Sequence, residues 1–74
     1  MEWRNHIVSN PSIHNGKPII KGTKVTVEQL LEYLSQENTL ADLLENFPHV
    51  RPNDLLAVFS YLQECVKDGE VKKG

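Results

Sequence analysis

The sequence predicts a mainly α fold: a small N-terminal β-hairpin followed by a three-helix, helix-turn-helix-like bundle. Three observations predict it. Two short β-branched runs, Ile19-Ile20 and Val25-Thr26-Val27, flank a Gly22-Thr23 turn. Thr26 opens the pattern Thr-x-x-Gln, a capping box that starts a helix at once. Beyond it lie three apolar repeats of helical period, separated by turns of a few residues.

His6-Ile7-Val8-Ser9 reads as a strand that Asn10-Pro11 ends, and Asn15-Gly16 is a strong turn signal. Pro18 removes a donor, which places Ile19-Ile20 at a sheet edge, with Lys24 to Val27 as the returning arm. Gly22 supplies the positive φ that a tight turn needs. The first helix is predicted over about 27–36, with Val27, Leu30, Leu31 and Leu34 on one face and Asn38 as the left-handed stop. The second is predicted over about 40–46. It starts at Thr39-Leu40-Ala41-Asp42, a capping box with Asp for Glu, and Phe47-Pro48 closes it. The third is predicted over about 52–67, opened by Pro52 and Asp54 and ended near Gly69. Leu55, Phe59, Leu62 and Val66 form its stripe, and Leu56, Val58 and Cys65 widen it. That stripe is broader than one small core needs. Residues 1–74 form a single domain: a hairpin over about 6–27, helices over about 27–67, and a charged, frayed tail over 68–74.

A 74-residue chain buries a modest core, roughly 60% of its unfolded surface. The single cysteine forms no internal disulfide, and Cys65 on an apolar face reads as a small core residue of a reducing cytoplasm. His6, His14 and His49 stand in separate segments without metal-ligand spacing, so neither metal nor cofactor is expected. No stretch reaches transmembrane length and no apolar run follows Met1-Glu2-Trp3-Arg4, so no signal peptide or membrane contact is expected. The remaining aids to stability are tight packing and oligomerisation; a homodimer is expected. Charge is uneven. Residues 1–25 carry four cations against Glu2, a balance of +3, and residues 26–74 carry four against nine acids, a balance of −5. Composition alone therefore gives no case for nucleic acid.

Gly16-Lys17 and Lys21-Gly22-Thr23 have the wrong order and spacing for a phosphate loop. Ser9, His6 and Glu2 make no fixed triad, and Asp42 with Glu45 reads as a solvated helix face, so no enzyme is expected. Arg51 and Asn53 begin the third helix. They are either a recognition start, in which Arg reads guanine and Asn adenine, or a plain capping turn with an exposed Arg. Lys17, Lys21 and Lys24 supply phosphate contacts if the hairpin lies beside that helix. Trp3 either caps the monomer core or docks onto a second subunit.

The string Gly16-Lys17-Pro18-x-Ile20-x-Gly22-Thr23-Lys24-x-x-Val27, with Phe47-Pro48 and Leu55-Leu56-Ala57 beyond it, resembles the prokaryotic domain-of-unknown-function family 433. The resemblance covers about residues 6–66, with Gly16, Lys17, Pro18, Gly22, Thr23 and Pro48 matching. It implies a homeodomain-like fold and an antitoxin-like role beside a nuclease-like toxin, with no catalytic residue to carry over. Lys24 stands where Arg is usual, Asn15 where a second Gly is common, and Thr26 where Pro is common. Arg51 replaces the usual Ser or Thr cap. Lysine cannot make a bidentate fork, so a contact depending on one is lost at position 24.

The expectation is a cytoplasmic, non-enzymatic binding module, antitoxin-like, that dimerises, binds a toxin protein and contacts regulatory DNA. The alternative is a structural or adaptor domain with no nucleic-acid role. The residues expected to touch DNA or partner are Lys17, Lys21, Lys24, Arg51 and Asn53; Gly16, Pro18, Gly22 and Thr23 shape the turns.

Overall fold

A computed structural model of the chain describes residues 1–69. A 3₁₀ turn at Trp3–Asn5 leads into β1 (Ile7–Val8), a turn at His14–Gly16, β2 (Ile19–Ile20), α1 (Val27–Ser35), α2 (Leu40–Asn46) and α3 (Pro52–Gly69). The fold is mainly α with a short antiparallel strand pair near its start.

β1 and β2 pair with Ile7 opposite Ile20 and Val8 opposite Ile19. Period-2 alternation would send one residue of each strand to solvent, yet Ile7, Ile19 and Ile20 are all buried. β2 is also bonded on the side away from β1. Ile19 also bridges Thr26, the Ile20 N–H donates to the Val25 carbonyl, and the Val27 N–H donates to the Pro18 carbonyl. The expected second arm over Lys24 to Val27 reduces to that one bridge, because the helix starts before a strand can form. The link between β1 and β2 holds a left-handed turn: His14, Asn15 and Gly16 have φ of 50°, 57° and 83°. His14 is fixed there by its ring, whose Nε2 donates to the Lys24 carbonyl at 2.9 Å.

Both predicted capping boxes form. Thr26 Oγ1 accepts from the Gln29 N–H at 2.9 Å while Gln29 Oε1 accepts from the Thr26 N–H at 2.8 Å. Thr39 and Asp42 make the same exchange at 3.0 and 3.1 Å. The stop of α1 differs from expectation. Glu37, with φ 65°, is the left-handed residue, and Asn38 instead uses its side-chain amide to cap the Tyr33 carbonyl at 2.7 Å. α1 and α2 then lock through Tyr33, which meets Phe47 edge-on and accepts from Asn46.

The core is Ile7, Ile20, Val27, Leu30, Leu43, Val50, Leu55, Ala57 and Val58. α3 packs mainly against the first turn and β1. Trp3 resolves as a cap on its own chain: its ring meets Tyr61 edge-on at 4.7 Å and its Nε1 donates to Glu64 at 3.2 Å. Two expectations for α3 are corrected. Cys65 is exposed rather than a core residue, because it lies past the end of the domain body, where Val66 and Lys67 are exposed too. Of the predicted stripe, Leu55 and Val58 are buried, whereas Leu56, Phe59 and Val66 are exposed. α3 ends at Gly69, the end the sequence offered, so residues 68 and 69 of the predicted tail belong to the helix. The rest of the predicted tail, residues 70–74, lies outside the described residues.

Candidate functional site

The start of α3 is built without the usual hydroxyl cap. Arg51 holds the capping position, and Asp54, three residues on, reaches back so that its Oδ2 accepts the Arg51 N–H at 2.9 Å. This is the acidic half of a capping box. It leaves the Arg51 side chain free to face solvent. Asp54 is buried, and its second oxygen accepts from His6 Nδ1 at 2.9 Å. Both carboxylate oxygens are thus engaged inside the chain.

His6 works through its backbone as well. Its carbonyl accepts the Lys21 N–H at 2.7 Å. Lys21 then leads into a tight turn, where Gly22 takes φ 83° and Thr23 Oγ1 donates to the Ile20 carbonyl at 2.8 Å. One histidine therefore positions both the hairpin turn that carries Lys21 and the helix start that carries Arg51.

Three clefts meet at Arg51. One of about 440 Å³ is lined by His6, Arg51, Pro52, Asn53 and Asp54. A second, of about 400 Å³, is lined by Lys21, Gly22, Thr23, Pro48, His49 and Arg51. A third joins them along Asn5, His6, Lys21 and Asp54. Among the described residues neither Lys21 nor Arg51 has an ion-pair partner. The only acid lining these clefts is Asp54, whose oxygens are taken. The face is therefore suited to an anion or a hydrogen-bonding partner.

The structure brings together Lys21, Arg51 and Asn53 of the residues expected from sequence, with Gly22, Thr23 and Pro48 shaping the walls. It does not bring Lys17 or Lys24 to them. Lys17 Nζ lies 2.7 Å from Glu28 Oε1, beside a different cleft with His14, Thr26 and Glu32. The hydrogen bond from Lys17, then its charge, holds the Glu28 carboxyl below its ordinary value. Lys24 is exposed and lines none of the three clefts. Gly16 and Pro18 serve the link between the strands. Sequence reasoning missed His6 and Asp54 as the frame of the face. The signal for half of it was present, an Asp three residues after a helix start that lacks Ser or Thr. His6 carried no signal at all.

Among the described residues, no three His, Cys, Asp or Glu side chains gather as a metal site, and no helix is long and apolar enough to cross a membrane. A family model described as a protein of unknown function (DUF433) matches residues 7–62, which spans β1 through most of α3. No curated protein and no solved structure matches the chain.

Proposed function

The chain belongs to the DUF433 family, and on that premise we propose that it is a small non-enzymatic binding module, the antitoxin-like member of a toxin–antitoxin pair. In this reading it acts in the cytoplasm as a homodimer. It binds a toxin protein, and it contacts DNA upstream of its own gene through the start of α3.

One observation carries the reading: at the start of α3, Arg51 lines one cleft with Lys21 and the adjoining one with Asn53, two cations against the single acid Asp54. In helix-turn-helix proteins this end of the second helix of the motif reaches base edges. Arg51 suits guanine, Asn53 suits adenine and Lys21 suits a phosphate. The family resemblance supplies the antitoxin role, and the small core supports the dimer. A net charge of −2 limits how many phosphates the chain can neutralise. DNA binding is therefore weak for the chain alone and falls steeply with salt. The acidic balance favours a second reading, an adaptor that binds protein only.

A gel shift on the upstream region of its own gene, across a salt series and with or without the neighbouring gene product, separates the two. A salt-sensitive shift supports the DNA role. No shift under any condition leaves protein binding alone.

A further inference from the structure

α3 carries two apolar faces. The first is the core face of Leu55, Ala57 and Val58. The second is a line of Leu56, Phe59, Gln63 and Val66, spaced three, four and three residues apart, which is the a/d rhythm of a coiled-coil seam. Its apolar members are strongly exposed, Leu56 by 56%, Phe59 by 42% and Val66 by 60%. Met1, 61% exposed, widens the seam where it lines a shallow cleft with Trp3, Ser60 and Gln63.

We propose that this seam is the face on which a second copy of the chain docks, α3 against α3, parallel and about a two-fold axis. The proposal rests on the homodimer reading above and gives it a surface. The a/d spacing, which an identical helix repeats in register, makes a second copy the occupant, and charge allows it. The chain is acidic overall, with nine of its ten acids after residue 25, so most pairings of two identical copies set like charges together. This seam avoids that. The positions along its outer edge are Asn53, Ser60 and, at the far end, Lys67, whose long stem keeps its ammonium in water. Glu64, close by, is held within its own chain by Arg4 and Trp3.

Gln63 selects the orientation. In a parallel pair the two Gln63 amides face each other and exchange hydrogen bonds, while leucine meets leucine and phenylalanine meets phenylalanine. An antiparallel pair sets each Gln63 against Phe59 and leaves both amides unpaired. The parallel arrangement also places both copies of the Lys21–Arg51–Asn53 face at the same end of the dimer. The seam is short, about 15 Å from Leu56 to Val66 at helical rise. It covers well under the ~800 Å² per partner of a standard interface, so dissociation is expected in the micromolar range.

Sedimentation equilibrium of the full chain tests this at concentrations on the order of 100 μM, at the upper end of that range. The wild type is expected at about twice 8.4 kDa. Phe59→Glu is expected at the mass of one chain with unchanged circular dichroism; Val66→Glu repeats the test at the projecting end of the helix. In a Cys65→Ser background, Gln63→Cys is expected to link two copies under mild oxidation, and Leu40→Cys on α2 is not. A monomeric wild type overturns both this proposal and the homodimer reading. A dimer that survives both glutamate variants overturns the seam and leaves the homodimer reading standing. Loss of the dimer in those variants without a Gln63→Cys link overturns the parallel orientation.

Discussion

His6 Nδ1 donates to Asp54 Oδ1 at 2.9 Å across 48 residues of sequence, and the other oxygen of that carboxylate caps α3 through the Arg51 N–H. The pair ties the N-terminal segment to the last helix at the point where the candidate binding face is assembled.

Asp54→Ala removes the cap and the brace together, and a loss of about 2 kcal/mol is expected from urea denaturation. His6→Ala is expected to cost less, since its ring is partly exposed. The double variant should cost clearly less than the two single losses added, because each single change already breaks the same contact. Additive losses would show that the two side chains do not act on each other.

Lys21→Ala and Arg51→Ala are each expected to lower the salt concentration at which the chain elutes from a heparin column. Lys17→Ala should change it little, because Lys17 is held by Glu28 away from this face. On operator DNA, Arg51→Ala should also relax sequence preference, whereas Lys21→Ala should weaken all sequences alike. Equal effects at positions 17 and 21 would count against a localised face.

Gly22→Val is expected to destabilise by more than about 1 kcal/mol. A Cβ at Gly22 meets nothing within 4 Å, so the whole cost comes from its φ of 83°. Gly22→Asn should therefore recover much of the loss, since Asn tolerates this region better. Thermal melts of the three proteins decide it; if valine and asparagine cost the same, the backbone account is wrong.

Glu28 titrates below its ordinary value of 4.5 because Lys17 donates to it and faces it with opposite charge. A carboxylate lowered in the folded state stabilises the fold above its unfolded value, and that contribution disappears as pH falls through the folded value. Lys17→Ala should move the Glu28 titration upward in an NMR pH series. Its effect on stability should be small at neutral pH, as expected of an exposed pair, and absent once the acid is protonated.

The parts of this fold that were legible in the sequence are those set by neighbours in the chain. The two threonine capping boxes and the φ of Gly22 depend on residues within three positions, and the structure has them as read. The strand pairing was only half legible: Pro18 suggested an edge, but its missing N–H falls just outside β2, which bonds on both sides. Glu37 rather than Asn38 takes the left-handed position at the end of α1. That choice follows from Asn38 having a better use for its amide, at the Tyr33 carbonyl, and propensity alone does not show it. Cys65, Phe59 and Val66 share the helical period of a buried stripe, but period does not say where the body of the domain ends. The His6–Asp54 contact was illegible for the plainest reason, that nothing local requires it.

The two ends of the described chain close on each other: Trp3 and Arg4 reach Glu64, and His6 reaches Asp54, with sequence separations of 61, 60 and 48 residues. This sets the timing of folding during synthesis. While the ribosome still holds α3, the first strand lacks the surface it packs on and the Trp3 ring has no Tyr61 to meet. Such long loops are slow to close and keep apolar segments uncovered until they do. The segment before β1 is therefore expected to stay open to proteases until α3 is available to pack on it.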